Sequence, residues 1–136
     1  MLLLLALAAS AQSLSAPNIA GQYVAVTETE YAITLTLAPK GVAKYDFVAW
    51  KADDPGPKHH EKITGTWSSS GNLLTLKISS GDIAIYKVLP CLSYREFGEA
   101  GCSLGISLVK TTLAIKYGLS RFGLWNVASL KFGVQP

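Results

Sequence analysis

Past its first residues, this sequence has no segment of about ten residues or more that repeats apolar side chains at helical spacing. That absence points away from a helical fold. Cysteine is limited to Cys91 and Cys102, too far apart for a thioredoxin-like C-x-x-C and only half of what a structural zinc site needs. Histidine is limited to the adjacent pair His59 and His60. No serine sits in a G-x-S-x-G elbow and no glycine-rich loop is shaped to cradle phosphate, so neither an α/β-hydrolase nor a nucleotide-binding enzyme is indicated. No Lys or Arg stands next to another, and the net charge of +3 is diffuse. Such a distribution is no footprint for nucleic acid, and no nucleic-acid partner and no cofactor are expected.

No apolar run approaches the roughly 20 residues that a bilayer-spanning helix needs, so no membrane span is expected. The run MLLLLALAASA, residues 1–11, instead fits a secretory signal peptide, because Ala9-Ser10-Ala11 forms an A-x-A cleavage site. A basic residue ahead of the leucines is missing from it. Cleavage would leave a mature chain starting at Gln12; a cut after Ala16 would place bulky Leu14 where a small residue is wanted. No cysteine follows the run, so lipid attachment is not indicated. Residues 12–136 suit a single domain with one core, expected to be periplasmic or secreted. In an oxidising compartment Cys91 and Cys102 are expected to pair. The loop of about 12 residues so closed is worth about 3 kcal/mol by chain entropy.

What the sequence has in abundance is alternation. In YAITLTLAPKG, Tyr31, Ile33, Leu35 and Leu37 alternate with Ala32, Thr34, Thr36 and Ala38, as in a strand with one buried face. Pro39, Lys40 and Gly41 then turn the chain, and VAKYDFVAW returns it, which predicts a hairpin over residues 31–50. ITGTW, LLTLKIS and IAIYKVL follow, separated by the turns SSSGN and SSGD. Four strands from 42 to 89 with short connections make an antiparallel meander. GQYVAVTE, residues 21–28, reads as an opening strand, CSLGISLVKTTLAIKY as one bent strand or two short ones, and FGLWNVASLKF as a strand or a helical turn followed by a strand. The fold class is therefore all-β: an antiparallel meander of about eight strands forming a closed or half-closed barrel, with a β-sandwich as the alternative.

The opening GQY, then ITLTLAPKGVAKY, ITGTW, SGN and LLTLKI together resemble the pattern of small exported bacterial lipocalin-like β-domains, the group that includes the NlpE-type envelope proteins. The resemblance covers residues 20–80 and implies a fold and a compartment. Those proteins are usually lipoproteins with C-x-x-C pairs, and the family's link to copper and envelope stress has no residue here to carry it. Gly65-Thr66-Trp67 also spells the G-x-W of lipocalins, but in mid-chain rather than on the first strand.

The chemically richest stretch is KADDPGPKHHEK, residues 51–62, whose prolines and aspartates read as a loop. His59 and His60 are weak metal candidates, because adjacent side chains on an extended chain point to opposite sides; one of them with Asp53, Asp54 or Glu61 is the most that the stretch offers zinc or copper. No metal site is expected. Carboxylate pairs for glycoside chemistry would have to come from Glu28, Glu30, Asp46, Asp82, Glu96 or Glu99, which read as outward-facing or turn residues, so no catalytic role is expected. The inner face is expected to carry Tyr23, Tyr31, Tyr45, Phe47, Trp67, Leu74, Leu76, Ile83 and Ile85. A filled core is the favoured reading of that face and a cavity the other; Tyr23, Tyr31, Tyr45, Phe47 and Trp67 are the residues expected to line a ligand. Trp50 and Trp125 have no obvious place inside, and an aromatic exposed at the rim would suit a partner or a glycan. The expected function is non-catalytic binding of a small apolar ligand or of a secreted or envelope protein partner, with an inhibitor-type interaction protein as the alternative.

Overall fold

The computed structural model describes residues 19–25, 31–50, 59–95, 98–113 and 123–130. Alternating apolar side chains give eight strands: β1 (Gly21–Val24), β2 (Tyr31–Leu37), β3 (Val42–Ala49), β4 (His59–Ser70), β5 (Leu73–Ile78), β6 (Ile83–Ser93), β7 (Cys102–Thr111) and β8 (Leu124–Asn126). Each pairs antiparallel with the next, and β8 returns to β1, closing the barrel in simple sequence order. Closure abolishes the free edges that a sandwich would leave. Closure therefore decides between the barrel and the sandwich.

The turns follow from their residues. Gly41 has φ 89° and Gly71 φ 59°, left-handed conformations that a side chain disfavours. They close the β2–β3 and β4–β5 hairpins. The first of these is fastened by the amide of Gly41 donating to the Ala38 carbonyl at 3.0 Å and that of Trp67 donating to the Gly41 carbonyl at 2.8 Å. Gly65 serves a different purpose: a Cβ there would run into the Lys77 carbonyl oxygen. The glycine lets β5 approach β4 closely.

One side of every strand feeds a continuous apolar core that includes Tyr23, Ile33, Leu35, Tyr45, Phe47, Trp67, Leu74, Leu76, Tyr86, Val88, Ile106 and Leu124, all buried. Two expectations need correction. Ile83 and Ile85 do not face inward; Ala84, Tyr86 and Val88 do. The register explains it, since Ile83 lies directly opposite Lys77, which is exposed, and residues opposite each other share a face. His59 and His60 open β4 rather than belonging to a loop. Of the two readings of FGLWNVASLKF, the strand holds at Leu124–Asn126, and a short 3-10 turn at Val127–Ser129 follows it. Residues 51–58, which hold Asp53 and Asp54, as well as Glu28, Glu30, Glu96 and the apolar run at 1–11, lie outside the described residues.

The predicted disulfide is present: Cys91 and Cys102 are joined, with Cα atoms 4.9 Å apart. It ties the end of β6 to the start of β7, and the amide of Tyr94 donates to the Gly101 carbonyl at 3.0 Å within the loop. Tyr94, 1% exposed, reaches back over the outer side of the barrel to Trp125, ring centre to ring centre 6.3 Å. Trp125 donates its indole N–H to the Leu92 carbonyl at 3.1 Å and is itself 1% exposed. Trp125 is thus no rim aromatic open to a partner, and Trp50 is half-buried. The disulfide segment covers the outward side of β8, where alternation alone puts a solvent-facing ring.

Candidate functional site

The interior brings together most of the expected aromatic residues. Tyr23, Tyr45, Phe47 and Trp67 are all buried in the one core cluster. Tyr31 begins β2 opposite Ala49, and its side chain lies outside the described residues.

At the end of this interior where β1 begins and the β2–β3 hairpin turns, buried polar groups are paired. Tyr23 donates its hydroxyl to the Ile19 carbonyl at 2.6 Å, and Trp67 donates its indole N–H to the Ala38 carbonyl at 2.7 Å. Asn126, inward on β8 and 6% exposed, accepts from the Ser129 hydroxyl at 3.2 Å. Burial pushes the Tyr23 phenol pKa up, against a hydrogen bond with Asn126 that lowers it. Ile19, 0% exposed, lies at this end. Partly buried apolar side chains packed against the core stand at both ends: Ala20 and Leu104 at this one, inward-facing Ala49 and Ile63, and Leu113 just beyond β7, at the other.

Tyr86 stands apart from this pairing. It is 1% exposed, faces inward between Leu74 of β5 and Leu108 of β7, and its hydroxyl has no hydrogen-bond partner. Burial pushes its pKa far up, so the phenol stays protonated. Inverting the face of β6 hid this residue in the sequence, although a signal was there. Lys87 shares a side with Ile83 and Ile85, and a strand that puts a lysine outward must put Tyr86 inward.

The polar groups on the outer surface do not converge. His60 Nε2 lies 3.4 Å from Asp46 Oδ1, both well exposed, and the His59 side chain lies outside the described residues. Among the described residues no three His, Cys, Asp or Glu side chains gather as metal ligands would. Asp82 is turn chemistry: it accepts from the Ser80 hydroxyl at 2.7 Å and from the Thr112 hydroxyl at 2.9 Å. Those bonds hold its carboxyl below the usual carboxylate range. Among the described residues no helix is long and apolar enough to cross a membrane. No family model, curated protein or solved structure matches this chain.

Proposed function

We propose that this protein is a non-catalytic, exported β-barrel that binds a small apolar molecule in its interior. The observation that carries the reading is the inner face of the closed barrel, where Tyr23, Tyr45, Phe47 and Trp67 meet in one apolar cluster. Partly buried apolar side chains border that cluster at both ends, Ala20 and Leu104 at one and Ala49, Ile63 and Leu113 at the other. Eight-stranded barrels have room inside either for side chains alone or for one small ligand, and an apolar interior lined by aromatic side chains suits such a ligand. The resemblance of residues 20–80 to lipocalin-like exported domains supports the same reading. Export draws its support from the apolar leader and from the Cys91–Cys102 disulfide, a bond that persists in oxidising compartments.

The test is titration with a neutral fluorescent probe such as N-phenylnaphthylamine. One saturable site per chain is expected, weakened by Ile63→Trp, which narrows one end of the interior. Mass spectrometry of the exported protein should find Gln12 at the N-terminus; a retained Met1 in a membrane fraction would oppose export. The second reading is an inhibitor-type interaction protein with a filled core. Arg95, Gly98, Glu99 and Ala100, all exposed on the disulfide loop above buried Tyr94, favour it, and it would be supported by a failure of every apolar probe to bind.

A further inference from the structure

We propose that the Tyr86 hydroxyl is the polar recognition point of the interior, and that the ligand is a neutral, largely apolar molecule carrying one hydrogen-bond acceptor of the ketone or ester class. This inference rests on the interior-binding reading above and deepens it. A hydroxyl buried without a partner loses its hydrogen bonds to water and gains nothing in return. Native proteins seldom leave such a group without a use. Other buried aromatic donors in this barrel find backbone carbonyls: Tyr23 that of Ile19, Trp67 that of Ala38 and Trp125 that of Leu92. The hydroxyl of Ser103 is also buried and unpartnered, but it sits opposite Leu92 on the outer side of the wall, away from the interior. Among the described residues, Tyr86 is the one that presents a buried, unpartnered donor to the core.

The chemistry of the surroundings narrows the ligand further. Because burial keeps the phenol protonated, it meets a ligand as a donor and supplies no charge. The inward-facing residues whose side chains are described include no Lys or Arg, and the one carboxylate among them is Glu61, partly buried opposite Phe47. A ligand carboxylate placed against Tyr86 would be a buried charge with no counterion, which is far costlier than a neutral carbonyl. Leu74 and Leu108 opposite Tyr86, and Ala84 and Val88 on its own face of β6, offer only apolar contact. They suit a hydrocarbon body beside the phenol donor.

The experiment compares three probes of nearly the same shape: methyl naphthyl ketone, its isopropenyl analogue, in which a methylene replaces the carbonyl oxygen, and the naphthoate anion. The wild-type protein should bind the ketone about tenfold more tightly than the hydrocarbon and the carboxylate least of all. Tyr86→Phe removes only the hydroxyl. It should erase the ketone's advantage, leave hydrocarbon affinity unchanged and not lower the melting temperature of the ligand-free protein. The carbonyl carbon of an isotope-labelled ketone should also shift downfield on binding to the wild type, a measurement that needs no variant. Equal binding of ketone and hydrocarbon, or a lowered melting temperature in Tyr86→Phe as expected of a structural water on the hydroxyl, would overturn the inference while leaving interior binding intact. Failure of both neutral probes to bind the wild type would overturn the interior-binding reading and this inference with it.

Discussion

Trp67 tests how the barrel is held at the β2–β3 turn. Its ring is 7% exposed and part of the core, its indole N–H donates to the Ala38 carbonyl at 2.7 Å, and its amide donates to the Gly41 carbonyl at 2.8 Å. One residue thus joins β4 to the β2–β3 turn while filling the interior beneath it. Trp67→Ala removes the ring and leaves a space that neighbouring strands, held by their ladders, can fill only in part. The expected loss is about 3 to 5 kcal/mol, against a total of about 5 to 15 for a domain of ordinary stability. Trp67→Phe separates the two contributions. It keeps most of the apolar volume, loses the N–H, and should cost about 1 kcal/mol for the hydrogen bond plus a smaller packing term. Urea denaturation of the disulfide-intact protein measures both. With a slope of about 1 to 3 kcal/mol/M, the alanine variant should lower the midpoint by about 2 M with little change of slope. An alanine variant within about 1 kcal/mol of wild type would refute the reasoning, because a ring that costs so little to remove is not packed. So would a phenylalanine variant as damaged as the alanine one, since that would assign the whole effect to the hydrogen bond.

Reduction of Cys91–Cys102 should lower stability by about 3 kcal/mol and turn Trp125 fluorescence towards that of an exposed indole as Tyr94 lifts; urea midpoints with and without reductant, read with intrinsic emission, check it. Gly65→Ala should cost about 1 to 3 kcal/mol, because the new methyl collides with the Lys77 carbonyl, and a variant with an unchanged melting temperature would show that β4 and β5 can separate without penalty. Tyr23 and Tyr86 have pKa values raised above the ordinary 10.0 by burial, so the unfolded chain releases their protons first as pH rises. Stability from these groups is fully present below about pH 10 and is lost above it. Tyr86→Phe should move the alkaline unfolding midpoint upward in a pH titration followed by circular dichroism, and an unmoved midpoint would show that Tyr86 ionises as readily in the folded state as in the unfolded one.

Much of the fold was legible because strands declare themselves locally. The alternation in YAITLTL and VAKYDFVA, the glycines at 41 and 71 and the inward positions of Tyr23, Tyr45, Phe47, Trp67, Leu74 and Leu76 all follow from a period of two and from turn chemistry. Those signals act over a few residues. The face of β6 was less secure, because IAIYKVL has apolar residues on both sides and only Lys87 marks the outward one; the opposition of Ile83 to exposed Lys77 across a tight turn settles it. The disulfide was legible from cysteine count and the expectation of export, since two cysteines in an oxidising compartment leave each other as the only partner.

By itself, then, the sequence determined the strand pattern, the hairpin order, the all-β class and the pairing of its two cysteines, because each depends on neighbours in the chain or on composition. Only the tertiary structure decided that β8 closes on β1, that Trp125 is covered by Tyr94 from a segment some thirty residues earlier (about 3.8 Å of chain per residue), that the Tyr23 hydroxyl finds the Ile19 carbonyl, and that Tyr86 is left with an unused hydroxyl. These are outcomes of closure. Wrapping the sheet into a barrel brings residues distant in sequence within hydrogen-bonding range, and the same wrapping determines which buried donor finds a carbonyl and which does not.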